Sequence, residues 1–327
     1  MAPKPFDLAR SRVLLSNDDG IHGPGLKLLE RVMRRLAKEV WVVAPETEQS
    51  AASHSLTIRR PLRIRRLSAR RFAVDGTPTD SVLLAVNQIL KDRPPDLVLS
   101  GVNWGGNLGE DVTYSGTIAA AMEGTLLGLP AIALSQMAEH GHPVKWATAE
   151  HFLPDVLERL CHAAWPSNVL INVNFPDVLA RSVAGMSLTR QGRRKIGGTL
   201  VEGRDPRGDA YYWVGPQRSE DRGRRGSDLA AVDRGEVSIT PLFMDLTHGP
   251  SLRALKGVFP RDPIRGASDL SLACGRAASP RPGCWPPWSR CRARYSCPRL
   301  SATRPTMRRR CPSAITRPSA SLSSWPR

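Results

Sequence analysis

The chain has 327 residues, 41% of them hydrophobic, enough for one large domain or two ordinary ones with a real core. Its formal net charge of +17 would ordinarily point to a polyanion partner. Residues 261–327, however, hold 14 Arg and 2 Asp with no Lys or Glu, a net of +12 that leaves only +5 for the rest of the chain. Five of the six cysteines lie in the same segment, which excludes a disulfide framework in the body and leaves Cys161 as core filler in a chain suited to a reducing compartment. The N-terminal "MAPKPFDLARSR" has no apolar stretch of a secretory signal. The most apolar window, "TIAAAMEGTLLGLPAIAL", is broken by Glu123, Gly124, Gly128 and Pro130, so no membrane span is expected and the predicted location is the cytoplasm.

In chain order, "RVLLS" is a predicted buried strand, followed by a helix in "PGLKLLERVMRRLAKE", where Leu26, Leu29, Met33 and Leu36 recur at helical spacing, and by the strand "EVWVVAP". "RFAVD" leads into "GTPTDSVLLAVNQIL", in which Thr77 caps a helix, Pro78 fits its first position and Asp80 completes a capping-box-like pattern. The strand "DLVLS", a glycine-rich loop, the helix "SGTIAAAMEGTLLGL" and the strand "AIALS" come next. A helix over "ATAEHFLPDVLERLCHAA", with Pro154 near its middle, precedes one more buried strand, "NVLINVNFP". Near-continuous apolar strands separated by helices predict an α/β fold: a Rossmann-like, mostly parallel sheet with helices on both faces.

Over residues 1–184 this pattern defines the α/β core. From Gly185 the strands shorten and alternate, as in "GMSLTRQ", "DAYYWVG" and "EVSITPLFMDL", which predicts a hairpin extension of the same domain over residues 185–260. Residues 261–327, with ten prolines, three tryptophans and no periodicity, are predicted to be disordered. Their mixture of Cys, Trp, Arg and Pro matches a GC-rich coding region translated out of frame.

In an open parallel sheet, ligands bind where the carboxyl ends of strands project their loops. Three polar loops sit at such ends: "SNDDG", "APETEQSAASHS" and "SGVNWGGNLGEDVTYSGT". Asp18 and Asp19 repel each other when ionised, and a hard divalent cation such as Mg²⁺ or Mn²⁺ would neutralise both. In the third loop, glycines let the backbone approach a ligand, and "YSGT" opens a helix whose free N–H groups favour phosphate. Neither a Walker pattern nor a good GxGxxG is present, which argues against an ATPase or a dinucleotide enzyme.

The motifs "SNDDGIHGPGL", "SGVNWGGNLGEDVTYSGTIAAAMEG", "INVNFP" and "VSITPLFMDLT", in this order over residues 12–257, resemble the SurE family of survival proteins. The resemblance implies a metal-dependent nucleotidase that removes phosphate from nucleoside 5′- and 3′-monophosphates, with one divalent cation per subunit. It also implies dimers or tetramers that exchange C-terminal segments. The implied metal ligands are Asp18, Asp19, Ser50 and Asn103, with Ala51 standing where the family usually has glycine. Asp18 and Asp19 would carry the chemistry, with Asn107, Ser115, Gly116 and Thr117 holding phosphate.

Other polar residues read more simply. Glu110 and Asp111 are expected to be solvated, and His140 and His142 to lie in a plain loop. His22 is a candidate acid beside the aspartates. The adjacent aspartates are not the DxDxT pattern of an aspartyl-phosphate enzyme. A nucleic-acid binder working through the basic tail is the competing reading, and otherwise nucleic acid is expected to bind only non-specifically there.

Overall fold

A computed structural model describes residues 5–139, 141–163, 165–196, 200–214, 218–220 and 224–259. Two units divide the chain, Met1–Lys256 and Gly257–Arg327, and every element below belongs to the first. The segment expected to be disordered, 261–327, and His140 lie outside the described residues.

Near-continuous apolar runs build the first strands, β1 (Arg12–Ser16) and β2 (Glu39–Pro45), with helix α1 (Pro24–Leu36) between them. β3 (Ile64–Ser68) and β4 (Arg71–Val74) follow, then α2 (Pro78–Leu84), which starts with the expected capping box between Thr77 and Asp80. β5 (Leu97–Trp104), α3 (Gly116–Leu126), β6 (Ala131–Gln136), α4 (Trp146–Ala163) and β7 (Val169–Phe175) complete the alternating part. Beyond it lie β8 (Gly185–Leu188), β9 (Arg194–Ile196), β10 (Leu200–Arg204), β11 (Ala210–Val214), β12 (Arg218–Glu220), α5 (Asp228–Asp233), β13 (Glu236–Phe243) and α6 (Gly249–Lys256).

Nine strands form one sheet in the order β3-β4-β2-β1-β5-β6-β7-β13-β8. The six from β4 to β7 run parallel, while β3 and β13 pair antiparallel with β4 and β7. Strand order grows from β1 toward β2 and then restarts at β5 on its other side, so the topological switch point lies between β1 and β5. Segment 185–259 therefore contributes in two ways: β8 and β13 extend the main sheet, while β10–β11 and β9–β12 pair as separate two-stranded ribbons.

Each face of the sheet carries its own core. Val13, Leu15, Leu97, Leu99 and Val173 pack with Leu29 and Met33 of α1 and Leu153 and Leu157 of α4. Leu14, Val98 and Ala133 point the other way, onto Val82 of α2 and Ile118 and Ala121 of α3. Both faces are apolar, which is why these strands read as continuous hydrophobic runs. Cys161 is buried and free, and burial pushes its thiol up to about 12, so it packs as a small apolar side chain. On the β10–β11 ribbon, Leu200, Val201, Tyr211, Tyr212, Trp213 and Val214 are all exposed. Among the described residues, no helix is long and apolar enough to cross a membrane.

A close backbone approach joins α1 to the strand that leads into the glycine-rich loop. A Cβ added at Gly25 would stand 1.8 Å from the Val102 carbonyl oxygen. Alanine gains at most about 1 kcal/mol over glycine in a helix, whereas overpacking costs about 1–3 kcal/mol, and more where the obstacle is backbone. Gly25→Ala is therefore expected to lower the melting temperature by several degrees in thermal unfolding. An unchanged melting temperature would show that α1 does not pack this tightly on β5.

Candidate active site

The switch point places the acidic pair. β1 ends at Ser16, and Asn17 closes the turn after the aspartates by donating its Nδ2 hydrogen to the Gly20 carbonyl at 3.0 Å, with Gly20 at φ +87°. On the neighbouring strand the register with β6 shifts between Ser100 and Asn103. Gly101 allows this bulge at φ +128°, where a Cβ would lie 2.2 Å from the Leu134 carbonyl oxygen. The bulge re-aims Asn103 toward the aspartates. Its Nδ2 donates to the Gly105 carbonyl at 2.8 Å, which leaves Oδ1 as an acceptor.

Asp18, Asp19, Ser50, Asn103, Asn107 and Ser115 line one crevice of about 380 Å³. Gly116 and Thr117 lie behind it. Thr117 is fully buried and its hydroxyl donates to Asp18 Oδ1 in a short hydrogen bond. A Cβ on Gly116 would come 2.7 Å from the Asp18 Cβ. The Thr117 backbone N–H bonds Asp18 as well, so the N-terminus of α3 meets a carboxylate supplied by the chain. Ser115 caps the helix, its Oγ accepting from the Ile118 N–H at 3.0 Å.

Burial dominates the electrostatics of the pair. It raises Asp18 above the usual carboxylate value, against the opposing pull of the Thr117 hydroxyl and backbone. Asp19 is pushed up to about 7, first by burial and then by the charge of Asp18. Its Oδ2 is buried with no hydrogen-bond partner. Among the described residues no cluster of three His, Cys, Asp or Glu could hold a metal. The expected ligands offer two carboxylates, an amide oxygen and the Ser50 hydroxyl, whose hydrogen goes at 2.7 Å to Glu48 Oε1, a further carboxylate lining the crevice. This all-oxygen set, with a buried carboxylate oxygen lacking a partner, fits a hard divalent cation.

Ala51 at φ 58° and Ser53 at φ 54° give the Ser50 loop its path. Ser53 anchors it, donating its N–H to the Tyr114 carbonyl at 3.2 Å and its Oγ hydrogen to the Thr113 carbonyl at 2.8 Å. His54 Nε2 meets the buried Glu123 of α3 at 3.0 Å. His22 is exposed and does not line the crevice, and His142 is exposed near Glu139.

The far wall holds residues that reading the sequence did not pick out. Asp111, expected to be solvated, is buried and pairs with the equally buried Arg194 at 3.1 Å. Both line the crevice. The correction has a long-range cause: β9 brings Arg194 across, and Asp228 ties the two segments together, accepting from the Gly109 and Gly192 N–H groups at 2.8 Å each. No local signal marks these contacts, although a charged pair flanking glycines on both segments is consistent with them.

Beneath the loop lies a buried amide lattice. Asn107 donates its N–H to Asn174 Oδ1 and one Nδ2 hydrogen to Ser135 Oγ, both at 2.8 Å. Its carbonyl accepts from Asn172 at 2.8 Å and Asn174 at 3.2 Å. One Nδ2 hydrogen of Asn107 stays available at the crevice.

Fold and site together define a doubly wound α/β protein whose switch-point crevice combines an acidic, oxygen-rich wall with hydrogen-bond donors and a buried arginine. The family model described as "Survival protein SurE" matches residues 13–198. A 5′-nucleotidase SurE of Paramagnetospirillum magneticum is 66% identical over 79% of this chain and 99% of its own. One of Rhodospirillum rubrum is 57% identical over 77% and 98%. The crystal structure of the SurE protein from Aquifex aeolicus aligns with a TM-score of 0.66 at 37% identity, over 76% of this chain and 99% of its own. The chain belongs to the SurE family.

Two outcomes follow from this geometry. Asp19 has its folded value raised from 3.8 to about 7, so its contribution to stability is full below pH 3.8 and is lost as pH rises through about 7. In EDTA, thermal unfolding of wild type and Asp19→Asn between pH 5 and 8 is expected to show the wild type falling behind as pH rises; a pH-independent gap would contradict the burial of this carboxylate. Ala51→Gly should raise the melting temperature by a few degrees, because the left-handed strain of about 1–2 kcal/mol exceeds the unfolded-state cost of glycine, about 0.4–1 kcal/mol. Equal or lower stability would show that the loop does not hold φ 58° at this residue.

Proposed function

We propose that this protein is a metal-dependent phosphomonoesterase, a 5′-nucleotidase that releases phosphate from nucleoside 5′-monophosphates and also from the 3′ isomers. The observation that carries the reading is the buried, partnerless Oδ2 of Asp19 beside Asp18 in a crevice otherwise rich in donors. The names of the similar proteins support it. Asp18, Asp19, Ser50 and Asn103 would hold one divalent cation, Mg²⁺ or Mn²⁺. Such a cation supplies Lewis acidity, lowering the pKa of water and drawing charge from a phosphate oxygen.

The protein's own groups do the rest. Thr117 and the start of α3 fix Asp18, which orients the attacking water in line with the leaving ribose oxygen. Asn107 offers its remaining amide hydrogen to a phosphate oxygen, and Ser115 lines the same wall. Gly116 and Thr117 act on phosphate through Asp18, by keeping its carboxylate where the substrate meets it. Arg194, oriented by Asp111, adds positive charge that favours an anionic substrate.

The exposed apolar side chains of β10–β11 support assembly into a homodimer or homotetramer. A cytoplasmic location agrees with this reading, as does the division of residues 1–260 into core and extension. The competing nucleic-acid reading gains no support, since the family match covers residues 13–198 and the tail that prompted it lies outside the described residues.

Phosphate release from a panel of nucleoside monophosphates, with Mg²⁺ or Mn²⁺ and then with EDTA, tests the proposal. Turnover is expected only with metal and should return on its restoration. Asp18→Asn and Asp19→Asn should each lose at least about 100-fold, the scale set by removing one group that stabilises transition-state charge. Turnover by either variant near wild type at limiting metal would refute the ligand assignment.

A further inference from the structure

The glycine-rich loop carries a residue that phosphate and metal chemistry do not use. Trp104 follows Asn103 directly, lines the crevice, and leaves 65% of its surface exposed. Tyr114 lines the same crevice and is 43% exposed. Trp104 differs from Trp165, which packs against the apolar core, and from three further tryptophans. Trp41 stacks on Phe72 between two arginines, and Trp146 packs against the apolar core. Trp213 is exposed, but among the apolar neighbours of the β10–β11 ribbon. Trp104 instead presents a large apolar ring beside a polar crevice, where the complementary ligand has one charged end and one flat aromatic end.

Resting on the nucleotidase reading, we propose that Trp104, assisted by Tyr114, is the nucleobase platform of this site. The Trp104 backbone hydrogen-bonds the Asp19 carboxylate, so the indole starts from the position where phosphate is handled. A ribose bridges that interval. Gly105 and Gly106 follow the ring, and a Cβ on Gly105 would meet nothing within 4 Å, which leaves open space beside the platform. Stacking reads an aromatic face without naming its edge atoms, so the platform accepts every base and favours the larger purines. Base selectivity is thereby set by ring area, and the reaction itself does not depend on the base.

The test compares adenosine 5′-monophosphate, uridine 5′-monophosphate and ribose 5-phosphate on the metal-loaded wild type, Trp104→Ala and Trp104→Phe. Replacing a stacked aromatic by alanine costs about tenfold or more in affinity. Trp104→Ala is expected to raise KM for the adenosine substrate by about that factor and for the uridine substrate by less, with kcat nearly unchanged. Ribose 5-phosphate, which has no base, should keep its parameters, and Trp104→Phe should restore most of the affinity. An unchanged KM for both nucleotides would overturn the platform while leaving the nucleotidase reading intact. An equal rise for ribose 5-phosphate would overturn it too, by marking a structural role for the ring. If the wild type releases phosphate from none of the three, the nucleotidase reading falls and the platform falls with it.

Discussion

Everything at the crevice follows from burying Asp18 and half-burying its neighbour Asp19 at the end of a central strand. Burial penalises their charge, and their mutual repulsion adds to the penalty. Asp18 is relieved from within the fold by the N-terminus of α3 and the Thr117 hydroxyl. Asp19 has a buried oxygen with no such relief, so the strain of the pair is concentrated on one atom. The glycine at 116 is a requirement of this arrangement, since a side chain there would displace Asp18. A site poised to take a cation is thus a consequence of an incomplete electrostatic balance, with the unfinished part facing the crevice.

The walls come from distant parts of the chain and are held by few contacts. The loop after β2 brings Ser50 and is fastened by Ser53 and His54. The loop after β5 is held from below by asparagines of β7 and from the side by Asp228 and Arg194. These last two residues belong to the segment after Gly185, which therefore shapes the crevice as well as extending the sheet. A positive side chain buried with its own carboxylate partner is a fixed charge, and a substrate meets it already oriented.

Much of this was legible in the sequence because the parallel sheet buries both faces. Runs such as "RVLLS" and "DLVLS" can then be recognised without their partners, and the loops after them are marked as functional by position alone. Asp18, Asp19 and Asn103 stand at those strand ends. The Arg-rich strand β3 escaped because edge strands need little apolar content, and its side chains are mostly exposed. Thr117 reads as a phosphate holder because a helix start attracts anions, and in the fold its hydroxyl also meets Asp18, a carboxylate the chain supplies. Asp111 and Arg194 find each other across β-structure far apart in sequence, and neither carries a local pattern that announces a partner.

The amide lattice under the glycine-rich loop has a further consequence. Asn107, Asn172, Asn174 and Ser135 are all buried and exchange hydrogen bonds that hold the loop in this arrangement. Displacing the loop would leave several buried dipoles unmatched at once, so thermal motion samples few alternatives. An incoming ligand then finds the loop already ordered and loses little of its binding free energy to immobilising it. The glycines that give the loop its close approach would, on their own, have made it the most entropically expensive part of the site to fix. The asparagines of β7, two strands away in the sheet, settle that cost during folding, before any ligand arrives.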